Sequence, residues 1–224
     1  MALVITLVLE AATYAGSVAL VNEGRVVAER SVAMRGRDHE ALMPAVSEVL
    51  AEGAVPVAQV ERIVCGAGPG SFTSLRIAGG IAKGLALAGD IPLVPVSSLV
   101  LLVVSRAGLR AGRYLGAIDA LRGEHYVSLV EVDAAGDVRA DASFSLVPTA
   151  ELSPFASRLE AQLVVAGVPS DGEAAPRARA AAQLTKLIDA TAAADLAAWE
   201  PAYGRLAEAQ VKWEAAHGRP LAGA

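Results

Sequence analysis

The sequence predicts an α/β protein made of two duplicated mixed-sheet halves, and three observations carry that prediction. A three-strand pattern occurs twice, at residues 3–9, 17–21 and 25–31 and again at 114–119, 125–132 and 138–146. Both sets lead into helix, strand and helix, and the first strand of each set closes on a carboxylate, Glu10 or Asp119. The stretch from Val64 to Arg76 reads as a buried strand, a glycine-rich turn and the start of a long helix. Meanders joined to βα units imply a mixed sheet with helices on it in each half. The repeat is architectural, with no residue-level identity between the halves. A division near residue 108 gives halves 1–108 and 109–224, the second ending in a polar surface tail after Glu200-Pro201.

The elements follow in order. Glu10-Ala11-Ala12-Thr13 closes the first strand with a carboxylate, two small residues and a hydroxyl. Asn22-Glu23-Gly24 is a hairpin turn between the second and third strands. Asp38 is placed to cap a helix over 39–51, whose Leu42, Met43, Val46, Val49 and Leu50 fall on one stripe. The strand 62–65, the glycine turn and a helix over 74–88 come next, with Ser71, Thr73 or Ser74 as the cap. That helix holds Gly79, Gly80 and Gly84, each costing about 1 kcal/mol relative to alanine. Close packing against a neighbouring helix, in this chain or a partner, would offset the loss. A strand over 92–96, an apolar helix capped by Ser97 or Ser98, a strand over 163–168 and an alanine-rich helix within 177–194 complete the pattern.

Composition limits the function classes. Hydrophobic residues make up 54% and charged residues 19%, which suggests a surface covered by a partner protein. The most apolar run, 91–104, is broken by Pro92, Pro95, Ser97 and Ser98 and flanked by Asp90 and Arg106, so no membrane span is expected. The N-terminus lacks a basic leader region and runs straight into Glu10, which points to a cytoplasmic protein. The single Cys65 excludes an internal disulfide and a multi-cysteine zinc site. A net charge of −5 argues against a general nucleic-acid binder.

The glycine turn could cradle an anion at the start of its helix, or simply reverse the chain. A dinucleotide fingerprint fails because Thr73 stands where the third glycine is needed. A phosphate loop of the Walker type fails because no Gly-Lys-Ser/Thr follows, and a nucleophile elbow around Ser71 also lacks its glycine at Thr73. His39 has Met43 one turn later, so the paired-histidine metal motif is absent. Glu10 and Asp119, at equivalent strand ends, could hold a magnesium nucleotide or could be turn-facing carboxylates. Together with Gly68, Gly70, Ser71 and Thr73 they define a candidate vestigial nucleotide or anion site.

The run from Gly68-Pro69-Gly70-Ser71-Phe72-Thr73 to Ala82-Lys83-Gly84-Leu85-Ala86 resembles the signature of the TsaB family of tRNA threonylcarbamoyladenosine biosynthesis proteins. Leu9-Glu10-Ala11-Ala12-Thr13, His39-Glu40-Ala41-Leu42-Met43-Pro44, Asp119-Ala120-Leu121-Arg122-Gly123-Glu124-His125-Tyr126 and Glu200-Pro201-Ala202-Tyr203 resemble further blocks of that family in the right order. The resemblance implies an actin-like, Hsp70-like ATPase fold of two ribonuclease-H-like halves. It implies no catalysis by this chain, which would pair with a TsaD-like ligase that threonylcarbamoylates the tRNA adenosine 3′ of the anticodon. A TsaE-like ATPase would complete the assembly, and tRNA would be met only through the complex. No cofactor is expected to bind tightly, with ATP and magnesium at most a property of the complex.

The resemblance makes the helices 39–51 and 74–88 the partner surface, with His39, Leu42, Met43, Val46, Leu50, Ile77, Gly80, Ile81 and Gly84 facing the partner. A homodimer of the isolated chain through the same helices is also consistent with it. Glu10 departs from the family's aspartate, Ser74 from a glycine, Leu121 from an arginine and Gly204 from a leucine. An ATP-dependent phosphotransferase on the same fold, motivated by the glycine turn and the two carboxylates, is the alternative. A metallopeptidase is a third reading, against which the missing histidine pair argues.

Overall fold

The computed structural model describes residues 4–35, 40–106, 110–141, 143–167, 174–204 and His217. The chain opens with β1 (Ile5–Glu10), β2 (Ala15–Asn22) and β3 (Arg25–Ala33), then α1 (Leu42–Glu52) and β4 (Arg62–Gly66). There follow α2 (Phe72–Gly89), β5 (Leu93–Val96) and α3 (Ser98–Val104). The first sheet has the order β3-β2-β1-β4-β5, and only β2 runs against the other four strands. The β2–β3 turn uses positive φ at Glu23 and Gly24, the backbone a two-residue hairpin needs.

The second sheet is built from β6 (Gly112–Asp119), β7 (Glu124–Val132), β8 (Val138–Ala140), β9 (Ser145–Pro148) and β10 (Gln162–Val165). Its order is β10-β6-β7-β8, with β9 pairing β7 beside β8. β7 again is the lone reversed strand. Strands β1, β2, β3 and β4 therefore have counterparts in β6, β7, β8 with β9, and β10. This is the ribonuclease-H-like order, used twice, and the fold expected from the resemblance. The expected single strand over 138–146 is two short strands sharing one edge of β7. After β9 a helix α4 (Leu152–Arg158) covers the second sheet, and α5 (Thr185–Ala190) lies near the end of the described chain.

The layers follow from strand alternation. Leu7 and Leu9 of β1 face one way and join Leu42, Val46, Val49, Ala78 and Ala82 in one core beneath α1 and α2. Val8 faces the other way, into a second core with Val64 and the whole of α3. All seven residues of α3 are buried, and the core continues into Tyr114, Ile118 and Val130 of the second sheet. The apolar run over 91–104 is strand β5 followed by this central helix, which is sandwiched between the two sheets. Among the described residues no helix is long and apolar enough to cross a membrane.

One helix start gains a partner and one helix expectation changes. Ala41 stands at the cap position of α1, and the carboxylate of Glu40 before it accepts from the backbone N–H groups of Leu42 and Met43; Asp38, the expected cap, lies outside the described residues. The alanine-rich segment after residue 177 forms a 3-10 helix (Ala178–Gln183) and the short α5, in place of one α-helix. Tertiary contact overrides propensity here. Ala178, Ala180 and Ala181 are buried, and the Ala178 N–H is taken by Ser17 Oγ at 2.8 Å.

The glycines of α2 have different surroundings. A Cβ at Gly79 would sit 3.1 Å from Pro201 Cγ, so the chain's later segment occupies that side. A Cβ at Gly80 or Gly84 would meet nothing within 4 Å. Replacing Gly80 or Gly84 by alanine should therefore stabilise the isolated chain by about 0.5–1 kcal/mol, whereas Gly79→Ala should not. Urea unfolding of the three variants measures this directly.

Candidate functional site

Three glycines at alternate positions bring four chain segments together at the end of the first sheet. Gly66 ends β4, and a Cβ there would run into the Glu10 carboxylate. Gly68 has φ +83° and lies against the Ala202 carbonyl, while Gly70 lies against the Ala12 carbonyl. The contacts are locked by backbone hydrogen bonds. Ser71 N donates to Ala12 O at 2.7 Å, Ala202 N donates to Ala67 O at 2.7 Å, and Ser98 N donates to Gly68 O at 2.9 Å. The Gly68–Pro69 peptide is cis. Ser71 stands at the cap position of α2, but its hydroxyl bonds the Ser74 hydroxyl at 3.0 Å and no backbone N–H, contrary to the capping expectation.

Glu10 is fully buried behind this turn. Its Oε1 accepts from Ala12 N at 2.5 Å and its Oε2 from Ser98 Oγ at 2.8 Å. Ser98 Oγ in turn accepts from Gly68 N at 3.1 Å, so the carboxyl, the start of α3 and the glycine turn form one relay. Burial pushes the Glu10 carboxyl up to about 7, and its hydrogen bonds to Ala12 and Ser98 only partly oppose this. Burial, and the Glu10 charge beside it, also push the Cys65 thiol far up, consistent with an inert core thiol.

In front of the turn lies a cleft of about 1030 Å³ between the two sheets. Gly70, Ser71, Thr73 and Asp119 line it, as expected for a shared site. Glu10 and Gly68 do not line it, and Glu10 is behind the wall. Asp119 Oδ1 accepts from Leu121 N at 2.8 Å, as a turn carboxylate does. A magnesium ion needs carboxylate oxygens presented to solvent or phosphate. One turn-bound aspartate and one buried, bonded glutamate do not fit that need. Among the described residues, the cleft's charged lining other than Asp119 is Arg35 and Arg122, and its rings include Tyr14, Phe72, Tyr126 and Tyr203. None of these six figured in the expected site. The blocks containing Arg122 and Tyr203 stand out in the sequence, but only tertiary structure aligns them with Tyr14 and Arg35.

The departure at Gly204 has a structural reason, since a Cβ there would sit 2.5 Å from the Tyr126 ring. Tyr203 just before it rests on Phe72, with ring centroids 4.7 Å apart.

The expected partner face is divided. Leu42 and Val46 are completely buried and hold α1 to the sheet, so they cannot meet a partner. Apolar residues at helical spacing mark a buried face, and here that face turns inward. Leu50, Ile77 and Ile81 are partly buried at the edge of the same core. Met43 is 39% exposed, and Gly80 and Gly84 are exposed on α2 with Leu87 at 67%. His39 lies outside the described residues.

The buried carboxyl predicts a pH dependence. Between pH 4.5 and about 7 the folded chain holds a proton on Glu10 that the unfolded chain has lost, so stability falls as pH rises through that window. The full loss is about 3 kcal/mol. Glu10→Gln should remove this component, so denaturant midpoints of variant and parent should diverge in the variant's favour from low to neutral pH. A constant difference across that range would contradict it.

Comparison with known proteins agrees with this architecture. Residues 33–154 match the family model "TsaD: tRNA N6-adenosine threonylcarbamoyltransferase". The tRNA threonylcarbamoyladenosine biosynthesis protein TsaB of Haemophilus influenzae is 37% identical over 125 residues, 55% of this chain and 52% of that protein. The Escherichia coli TsaB is 37% identical over 133 residues, 58% of this chain and 56% of that protein. These two matches thus span about half of each relative. The Bacillus subtilis TsaB is 30% identical over 227 residues, 92% of this chain and 96% of that protein. A solved Pseudomonas aeruginosa structure, described as an uncharacterized protein with similarity to peptidase YeaZ, superposes with TM-score 0.72 at 27% identity, covering 90% of this chain and 100% of that one. On a relative matched along nearly its whole length, this chain belongs to the family of tRNA threonylcarbamoyladenosine biosynthesis protein TsaB.

Proposed function

We propose that the chain is a non-catalytic, cytoplasmic subunit in tRNA threonylcarbamoyladenosine formation. It docks through α2 onto a TsaD-like ligase that modifies the adenosine 3′ of the anticodon. A TsaE-like ATPase joins the same assembly, and tRNA is met through the complex. The observation that carries the reading is the outer face of α2. Gly80 and Gly84 weaken the helix, and among the described residues a Cβ at either would meet nothing within 4 Å; Ile77, Ile81 and Leu87 add apolar area around them. Glycine on a helix face lets a second backbone approach closely, and it is the feature an interface would repay. Met43 of α1 is exposed and Leu50 partly so. The state of Glu10 supports a supporting rather than catalytic role, because a buried, internally bonded carboxyl is not available to a substrate or metal.

Gly80→Trp and Gly84→Trp should abolish co-purification with a TsaD-like protein while leaving the isolated chain folded, since both positions open to solvent. Gly80→Ala should retain the complex. Unaffected binding by both tryptophan variants would overturn the interface.

A further inference from the structure

The later segment that lies along α2 adds a surface of its own. It is tied to α2 and to the strands beside it at three points. Ala194 N donates to Leu93 O at 2.8 Å, Lys83 Nζ donates to Trp199 O at 3.0 Å, and Ala202 N donates to Ala67 O at 2.7 Å. Between the first two ties the chain makes a tight turn. Asp195 O accepts from the N–H groups of Ala198 and Trp199, and Asp195 Oδ1 accepts from that of Ala197. The turn leads Trp199 and Pro201 against Gly79. Leu196 and Trp199 are half-buried on the core beneath α2, whereas Asp195, Ala197, Ala198 and Glu200 are exposed.

Helical spacing fixes where this strap stands. Among the described residues Thr73, Arg76, Gly80, Gly84 and Leu87 are exposed on α2 and fall on one stripe. Gly79 and Lys83, which meet the strap, lie to one side of that stripe, and Ile77 and Ile81 lie to the other. The stripe is about 21 Å long at 1.5 Å per residue, and its middle is glycine. The strap therefore flanks it as a wall whose exposed alanines also permit close approach.

Charge along this trough is uneven. Asp90 ends α2, whose last turn holds no basic residue, and the carbonyl end of a helix carries negative partial charge. Asp195 belongs to the same end, one residue after the tie to Leu93. Among the described residues neither aspartate has a cation within 4.0 Å. At the other end Arg76 of the stripe and Glu200 of the strap both lie near Tyr203. They act on its hydroxyl in opposite senses, so their charges offset.

From these observations we infer that residues 195–200 form a second wall of the partner surface and select its occupant by charge. The occupant is a partner helix with small residues over Gly80 and Gly84 and a lysine or arginine beside Asp90 and Asp195. The inference rests on the reading of α2 as the docking helix and extends it to a segment centred on Trp199, 116 residues from Lys83.

Binding of the full chain to a TsaD-like ligase, measured by calorimetry at low and high salt, tests it. Asp90→Asn combined with Asp195→Asn removes both charges, while asparagine keeps an acceptor for the Ala197 N–H and tolerates the left-handed cap at residue 90. This double variant should bind about fivefold or more weakly at low salt, with the difference shrinking at high salt. Ala198→Arg, on the exposed side of the strap, should weaken binding about tenfold through bulk and like charge. Thermal melts of both variants should match the parent. Parent-like binding by either variant, or a loss in the double variant that high salt leaves unchanged, overturns the inference; if Gly80→Trp still abolishes the complex, the α2 reading stands. Unaffected binding by Gly80→Trp and Gly84→Trp overturns both. If the double variant weakens self-association of the isolated chain in sedimentation and leaves ligase binding intact, the occupant is a second copy and the inference is overturned.

Discussion

The mouth of the molecule depends on how closely four backbone segments approach one another around Gly66, Gly68 and Gly70. A side chain at any of these positions would collide with the Glu10 carboxylate, the Ala202 carbonyl or the Ala12 carbonyl. Because there is none, β1 and β4 can end side by side, α2 can start against Ala12, and the segment through Ala202 can close over the turn. The buried Glu10 carboxyl sits at the centre of this junction and is tied through Ser98 to Gly68. A buried carboxyl is expensive unless it is protonated or well bonded, and Glu10 is both bonded and shifted toward the protonated form. The glycine turn therefore acts as a structural joint, and the cleft in front of it inherits its shape from that joint.

The same joint sets where α2 points. The inner face of α2 packs on β1 and β4 through Ala78, Ala82 and Ala86, and Gly79 receives Pro201. Lys83 Nζ donates to the Trp199 carbonyl at 3.0 Å, tying the later segment along the helix. What remains outward is the strip through Gly80, Gly84 and Leu87. Two opposite surfaces of one helix thus differ, one packed into the chain and the other exposed among the described residues.

Much of this was legible in the sequence because it rests on local chemistry. The strand triplets, the Asn22-Glu23-Gly24 hairpin, the start of α2 and the tight glycine reversal before it all follow from residue type and spacing. What escaped depends on distant contacts. A stripe such as Leu42, Met43, Val46 and Leu50 names an apolar face without saying what covers it, and the sheet claimed Leu42 and Val46. Ser98 lies 88 residues from Glu10, so no local pattern links them. The alanine-rich segment has high helix propensity, yet its contact with β2 draws it into a 3-10 turn. The cleft's arginines and rings come from five separate stretches of chain, which only the finished fold assembles.

Hydrogen–deuterium exchange of the chain, alone and with a TsaD-like ligase, tests the central claim most directly. The account predicts slowed exchange along α2, strongest around Gly80 to Leu87, with the central α3 unchanged. Complex formation with protection elsewhere and none on α2 would contradict it.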